Sequence, residues 1–96
     1  MIRHTVIFRL KHERGSQQEN DFLARAGELA SIPTVKHFET LRQVSSKNDF
    51  DFGLSMEFDS QDDYDFYSNH PDHQRFVQQY WLHEVENFME IDYVKI

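Results

Sequence analysis

The amino-acid sequence predicts an α+β fold of order β-α-β-β-α-β, with one four-stranded antiparallel sheet and both helices on one of its faces. Three observations predict it. Residues 2–10 alternate, with Ile2, His4, Val6, Phe8 and Leu10 on one side and Arg3, Thr5, Ile7 and Arg9 on the other. Phe50, Phe52, Leu54, Met56 and Phe58 alternate the same way against Asp51, Gly53, Ser55 and Glu57. Two stretches of helical spacing, each opened by a serine, separate the strand-like segments.

The first strand buries its Ile2–Leu10 side and ends in the polar turn 11–15. Ser16 and Glu19 have the S-x-x-E spacing of a capping box, so a helix starts there. Phe22, Leu23, Ala26, Leu29 and Ala30 repeat at helical spacing, and Pro33 ends the run because the residue before a proline is pushed out of helical φ/ψ. Residues 35–44 read as a second strand whose outer face carries either Val35 and Leu41 or Phe38 and Val44. Residues 45–49 are a hairpin-like connection into the third strand.

Ser60 caps the second helix, with Asp62 and Asp63 in the first turn where the helix dipole favours negative charge. The helix passes Tyr64 and Tyr67 and breaks at Asn69-His70-Pro71, proline fitting best as the first residue of a new segment. There His73, Phe76, Val77, Tyr80, Trp81 and Glu84 form one stripe, so His73 faces the interior. Residues 88–95 close the sheet, with Met89, Ile91 and Tyr93 opposite Phe88, Glu90, Asp92 and Val94. Two helices cover one sheet face, which leaves Ile7, Met89 and Ile91 on the other, and a second copy of the chain is the economical cover.

The 96 residues make a single domain, 1–96. Ten Lys and Arg against 17 Asp and Glu give a net charge of −7, which repels phosphate backbones and anionic membrane surfaces, so neither nucleic acid nor membrane is expected as a partner. With no cysteine, thiol chemistry and Cys-type metal sites are excluded. Arg3, His4 and Arg9 interrupt the apolar residues at the amino terminus, and no later run approaches the roughly 20 apolar residues of a spanning helix, so a cytoplasmic location is expected.

Nine Phe in so short a chain mean a dense core or a ring-lined pocket. Phe8, Phe22, Leu54, Phe76 and Trp81 are the candidate lining of such a pocket, although each fits a packed core as well. A neutral imidazole at His73 can take a proton from an acidic carbon or hydroxyl, and a nearby phenol can donate to the charge that develops. His70 and His73 stand three residues apart, but Pro71 breaks the helical register between them, and neither a metal nor any other cofactor is expected. His70 reads as a cap on the helical join; His12, His37 and His83 read as solvated surface residues.

The opening residues 3–11 (RHTVIFRLK), Phe58-Asp59-Ser60, the spacing Tyr67-x-x-His70-Pro71-x-His73 and the closing Asp92-Tyr93 together resemble the stress-responsive A/B barrel, or Dabb, family. The resemblance spans essentially the whole chain. It implies a ferredoxin-like subunit that pairs into a dimeric α+β barrel, a homodimer with a cavity between sheet and helices in each copy. It is nearest to the branch containing a plant polyketide cyclase, which implies that Tyr67 and His73 are catalytic and that His4 is a further pocket histidine. Asp72, Gln74 and Arg75 depart from the family's usual small and apolar residues there. Three readings follow: a non-catalytic or weakly specific homodimeric stress protein that binds a small apolar ligand or nothing, a cofactor-free acid/base enzyme using Tyr67 and His73 on a ketide-like or phenolic substrate, and a cofactor-free monooxygenase. An open space between His4, Tyr67 and His73 favours the second over the first.

Overall fold

Strand β1 (Ile2–Leu10) buries every second residue, His4, Val6, Phe8 and Leu10, in a computed structural model that describes all residues 1–96. It lies inside the sheet, between β3 (Phe52–Phe58) and β4 (Val85–Tyr93); β2 (Lys36–Arg42) is the other edge, giving the order β2-β3-β1-β4 with every pairing antiparallel. Central position explains why β3 is buried on almost its whole length, including Gly53 and Ser55 on its second face. No helix is long and apolar enough to cross a membrane.

Helix α1 (Gln17–Gly27) is capped as its sequence demands: the Ser16 hydroxyl accepts from the Glu19 N–H at 3.2 Å. The returning Glu19 carboxylate, however, accepts from the Gly15 N–H at 3.1 Å, one residue before the expected Ser16, and Gly15 adopts the φ of +79° that this approach requires. A 3₁₀ turn (Glu28–Ser31) extends α1 towards Pro33. Phe22, Ala26 and Leu29 point at the sheet, where the Phe22 ring meets Phe8 at 5.8 Å and Phe76 at 5.5 Å between centroids. Each such aromatic pair adds about 0.5–1.5 kcal/mol to what burial alone contributes.

The second helical region breaks where the sequence places the break. Helix α2 (Gln61–Asn69) ends at His70, whose extended backbone (φ −65°, ψ 137°) closes α2 and opens α3 (Pro71–Phe76); its imidazole Nδ1 accepts from the Asp72 N–H at 3.1 Å. Beyond α3 the chain widens into a π-helical turn (Val77–Trp81), makes one last helical turn (Leu82–Glu84) and enters β4 with no loop between. The missing loop is why β4 starts at Val85, three residues before the position that alternation predicts. His12, expected to be solvated, is half-buried against this last turn, its Nε2 2.6 Å from the Glu84 carboxylate.

Strand β2 settles the open choice of outer residues by breaking its own alternation. His37 has a φ of +51°, and the β2–β3 register shifts between Lys36 and Glu39. Val35 and Phe38 therefore both pack on the core side, while Leu41, opposite Gly53, sits on the outer face. Ile7, Leu41, Met89, Ile91 and Tyr93 share that outer face, and Leu41, Met89 and Tyr93 remain 43–52% exposed.

Candidate functional site

Between the sheet and α2–α3 lies a pocket of about 270 Å³ that takes in His4, Tyr67 and His73 together. Each arrives from a different element. His4 is the second core-facing residue of β1, Tyr67 is the buried residue of α2, and His73 is in the first turn of α3. A continuous straight helix would set positions 67 and 73 about 120° apart around its axis, since six steps of about 100° make 600°. The break at His70 removes that offset, and the Tyr67 and His73 rings lie 4.5 Å apart between centroids. His4 completes the group, with its ring 6.1 Å from that of Tyr67.

Both imidazoles are held by Nδ1. Asp92 of β4 pairs with His4 across the β1–β4 ladder and brings its carboxylate Oδ1 to 2.6 Å from His4 Nδ1; the Tyr64 hydroxyl donates to the other oxygen at 2.8 Å. An ionised carboxylate only accepts, so His4 Nδ1 carries the proton, and the Tyr64 oxygen, 2.8 Å from the same nitrogen, is at most a second acceptor. His73 Nδ1 faces the Ser68 carbonyl at 3.0 Å, again an acceptor, and is likewise protonated. In the neutral imidazoles the basic atom is therefore Nε2 in both cases.

Neither Nε2 nor the Tyr67 hydroxyl has a partner in the protein, yet no fully buried side-chain nitrogen or oxygen is left unpaired. All three atoms thus retain open surface, and the pocket that these residues line is where it lies. Burial pushes the Tyr67 phenol well above its usual value, and the nearby Glu90 carboxylate adds to the rise. Burial holds the His73 imidazole below its usual value, more than the Ser68 carbonyl raises it. Around neutral pH the site therefore offers a phenol that keeps its proton and an imidazole that is free to accept one.

Of the five residues proposed as lining, Leu54, Phe76 and Trp81 line the pocket. Phe8 and Phe22 do not; both are fully enclosed, and Phe8 sits one alternation step beyond Val6, sealed by Phe22, Phe52 and Trp81 at 5.1–5.8 Å. The π turn brings Val77 and Trp81 to the pocket wall, and Leu82, Phe88 and Glu90, all exposed, form its rim. Asp92, Tyr64 and Glu90 are the participants that sequence reasoning missed. The signal was present in the alternation of β4, which places Phe88, Glu90 and Asp92 on one face. A roomier depression of about 470 Å³ near Met1 and Tyr93 holds the Arg3–Glu57 pair, 2.9 Å apart, and Lys95, but no imidazole. No group of three or more metal-ligating side chains occurs.

The family model described as Stress responsive A/B Barrel Domain matches residues 2–95. A stress-response A/B barrel domain-containing protein of Arabidopsis thaliana is 29% identical over 96 residues; the match takes in 98% of this chain but 36% of that protein, so the chain spans about a third of that relative's length. The crystal structure of a Dabb family protein with a ferredoxin-like fold from Mesorhizobium loti superposes with a TM-score of 0.98 at 53% identity, covering 99% of this chain and 96% of that one. The hydroxynitrile lyase of Passiflora edulis has the same fold, with a TM-score of 0.85 at 20% identity over 99% of this chain and 93% of that one. Three further structures of this fold, at 18–21% identity, are described as dimeric.

Proposed function

The chain belongs to the stress responsive A/B barrel, or Dabb, domain family, and from that premise we propose that it binds a small, largely apolar molecule between sheet and helices and moves a proton on it as an acid/base enzyme. The observation that carries this reading is the set of three unpaired polar atoms, His4 Nε2, Tyr67 Oη and His73 Nε2, around one open pocket. Had side chains filled that space, the same residues would read as core.

The division of labour follows from the environments. His73 Nε2 takes the proton from an acidic C–H or O–H of the substrate; the imidazolium so formed keeps its Nδ1–H on the Ser68 carbonyl and lies within the field of Glu90. Tyr67, whose phenol stays protonated, donates to the substrate oxygen on which negative charge develops. His4, oriented by Asp92 and Tyr64, presents a second basic nitrogen that can receive the proton or hold the substrate's own hydroxyl. General acid–base catalysis of this kind supplies about 10²–10⁴ in rate. A cavity of roughly 150 Å³ admits benzene, so about 270 Å³ suits a substituted single ring or a chain of similar bulk.

The reading includes a homodimer built on the outer sheet face, where Ile7, Leu41, Met89, Ile91 and Tyr93 form an apolar surface like the one a sheet-to-sheet partner covers. It is supported by the dimeric state described for three proteins of the same fold.

The test is proton exchange and bond cleavage on neutral one-ring compounds: α-deuteration of aryl ketones in D₂O followed by NMR, and cleavage of an aromatic cyanohydrin. Catalysed turnover by the wild type that disappears in His73→Ala supports the reading. Saturable binding of these compounds with no turnover of any of them returns the protein to a binding role.

A further inference from the structure

Twelve residues line the pocket, nine of them hydrophobic, and among them Glu90 alone carries a formal charge when the imidazoles are neutral. No lysine or arginine reaches it. Glu90 pairs with Val6 in the β1–β4 register, which puts its carboxylate on the pocket side of the sheet, and its side chain makes neither a salt bridge nor a hydrogen bond with another residue. The charge is therefore not spent on the protein. It acts on Tyr64, Tyr67 and His73, all of which respond to it electrostatically.

We propose that Glu90 sets the charge class of the substrate: the pocket takes uncharged or cationic molecules and rejects carboxylates, phosphates and other anions. This rests on the pocket described under Proposed function and narrows what enters it. An anion brought among apolar walls loses its hydration, finds no guanidinium or ammonium to replace it, and meets a fixed negative charge at the rim. A neutral ring loses little on entry, and a cation gains from the carboxylate. The same charge favours the imidazolium formed on His73 during proton abstraction, so Glu90 is compatible with base catalysis on a neutral substrate while it opposes binding of an acidic one.

The experiment compares three near-isosteric single-ring probes, benzamidinium, benzamide and benzoate, binding to the full chain at low ionic strength near pH 7.5. The single Trp, Trp81, lines the pocket and reports occupancy by fluorescence, with ligand-observed NMR as the second measurement. In the wild type, benzamide and benzamidinium should bind about tenfold or more tightly than benzoate, a factor that 0.5 M salt reduces. Glu90→Gln should bring benzamide and benzoate to within about threefold, and Glu90→Lys should reverse their order. Because Glu90 is exposed and unpaired, neither variant removes a contact that folding needs. Benzoate binding the wild type as tightly as benzamide, or an unchanged order in both variants, overturns the charge assignment and leaves the acid/base reading standing. Failure of all three probes to bind overturns both.

Discussion

Replacing Asp92 with asparagine takes away one charge and one of the two acceptor positions that hold His4, with almost no change in shape. In the wild type, Oδ1 accepts from His4 Nδ1 at 2.6 Å and Oδ2 from the Tyr64 hydroxyl at 2.8 Å. Asparagine keeps one acceptor and presents two N–H donors where the second stood. Either Tyr64 turns its hydroxyl away to water, or the imidazole changes tautomer so that Nδ1 accepts from the new amide. A hydrogen bond to a charged group contributes about 1.5–3 kcal/mol when buried. The Asp92 side chain is 41% exposed, so water competes for it and about 1 kcal/mol is the expected loss. For a domain of this size that lowers Tm by about 4–8 °C. The chemical effect is the sharper one, because His4 loses the group that fixes which nitrogen is basic. Long-range ¹H–¹⁵N correlation on ¹⁵N-histidine-labelled protein near pH 8 reads the tautomer directly. The wild type should show His4 protonated at Nδ1 with Nε2 bare, and Asp92→Asn should show a mixture or the opposite form. A wild-type His4 protonated at Nε2, or a variant with unchanged tautomer and Tm, would falsify the orientation argument.

Tyr67→Phe should lower kcat by about 10²-fold with little change in ligand affinity and no loss of Tm, since the hydroxyl has no partner in the protein to lose; a large fall in stability would place that hydroxyl in the core instead. The His73 imidazole is held below the value it has in the unfolded chain, so the unfolded state binds the extra proton and folding stability falls as pH drops below about 6.5. The difference in urea midpoint between wild type and His73→Gln should therefore move against the wild type on going from pH 7.5 to 5.5, whereas a pH-independent difference contradicts the burial argument. Ile91→Asp puts a charge into the outer apolar face and should turn a dimer into a monomer or an aggregate in sedimentation at micromolar concentration; a wild type already monomeric there refutes the interface. Phe8→Ala should cost about 3–5 kcal/mol by chemical denaturation, because the ring is fully enclosed and its neighbours close on it from three sides.

Strands β1 and β3 were legible because each lies between two neighbours with its inner face fully covered, so the alternating apolar residues face the core in both, although β3 also buries Gly53 and Ser55 on its second face. Strand β2 was not, because the bulge at His37 inserts a residue that periodicity cannot anticipate and thereby sends both Val35 and Phe38 inward. The start of β4 was hidden for another reason: His83, Glu84, Glu86 and Asn87 look like a polar connection, whereas the last helical turn passes directly into the strand at Val85. In the site, the helical break made the meeting of Tyr67 and His73 a question of backbone angle at one residue, His70, which spacing alone leaves open. Asp92 stands 88 residues from His4, and only the β1–β4 register joins them. Phe8 and Leu54 look alike as alternating strand residues, and whether a ring walls a cavity or fills the core depends on helix placement that the pattern does not encode.

The sheet order distributes this site unevenly between elements that resist change and one that tolerates it. The Tyr67 phenol and the two imidazoles hang from an interior strand and two packed helices, where an altered backbone disturbs the core. Glu90 hangs from the outermost strand, on a residue facing solvent as much as pocket, where a substitution typically shifts stability by no more than about 0.5 kcal/mol. The charge at the rim is thereby open to mutation at little cost to the fold. A population of variants drifting at position 90, or a designer choosing a residue there, can explore neutral, acidic and basic rims without unfolding the domain, and each choice also resets the field felt by Tyr67 and His73.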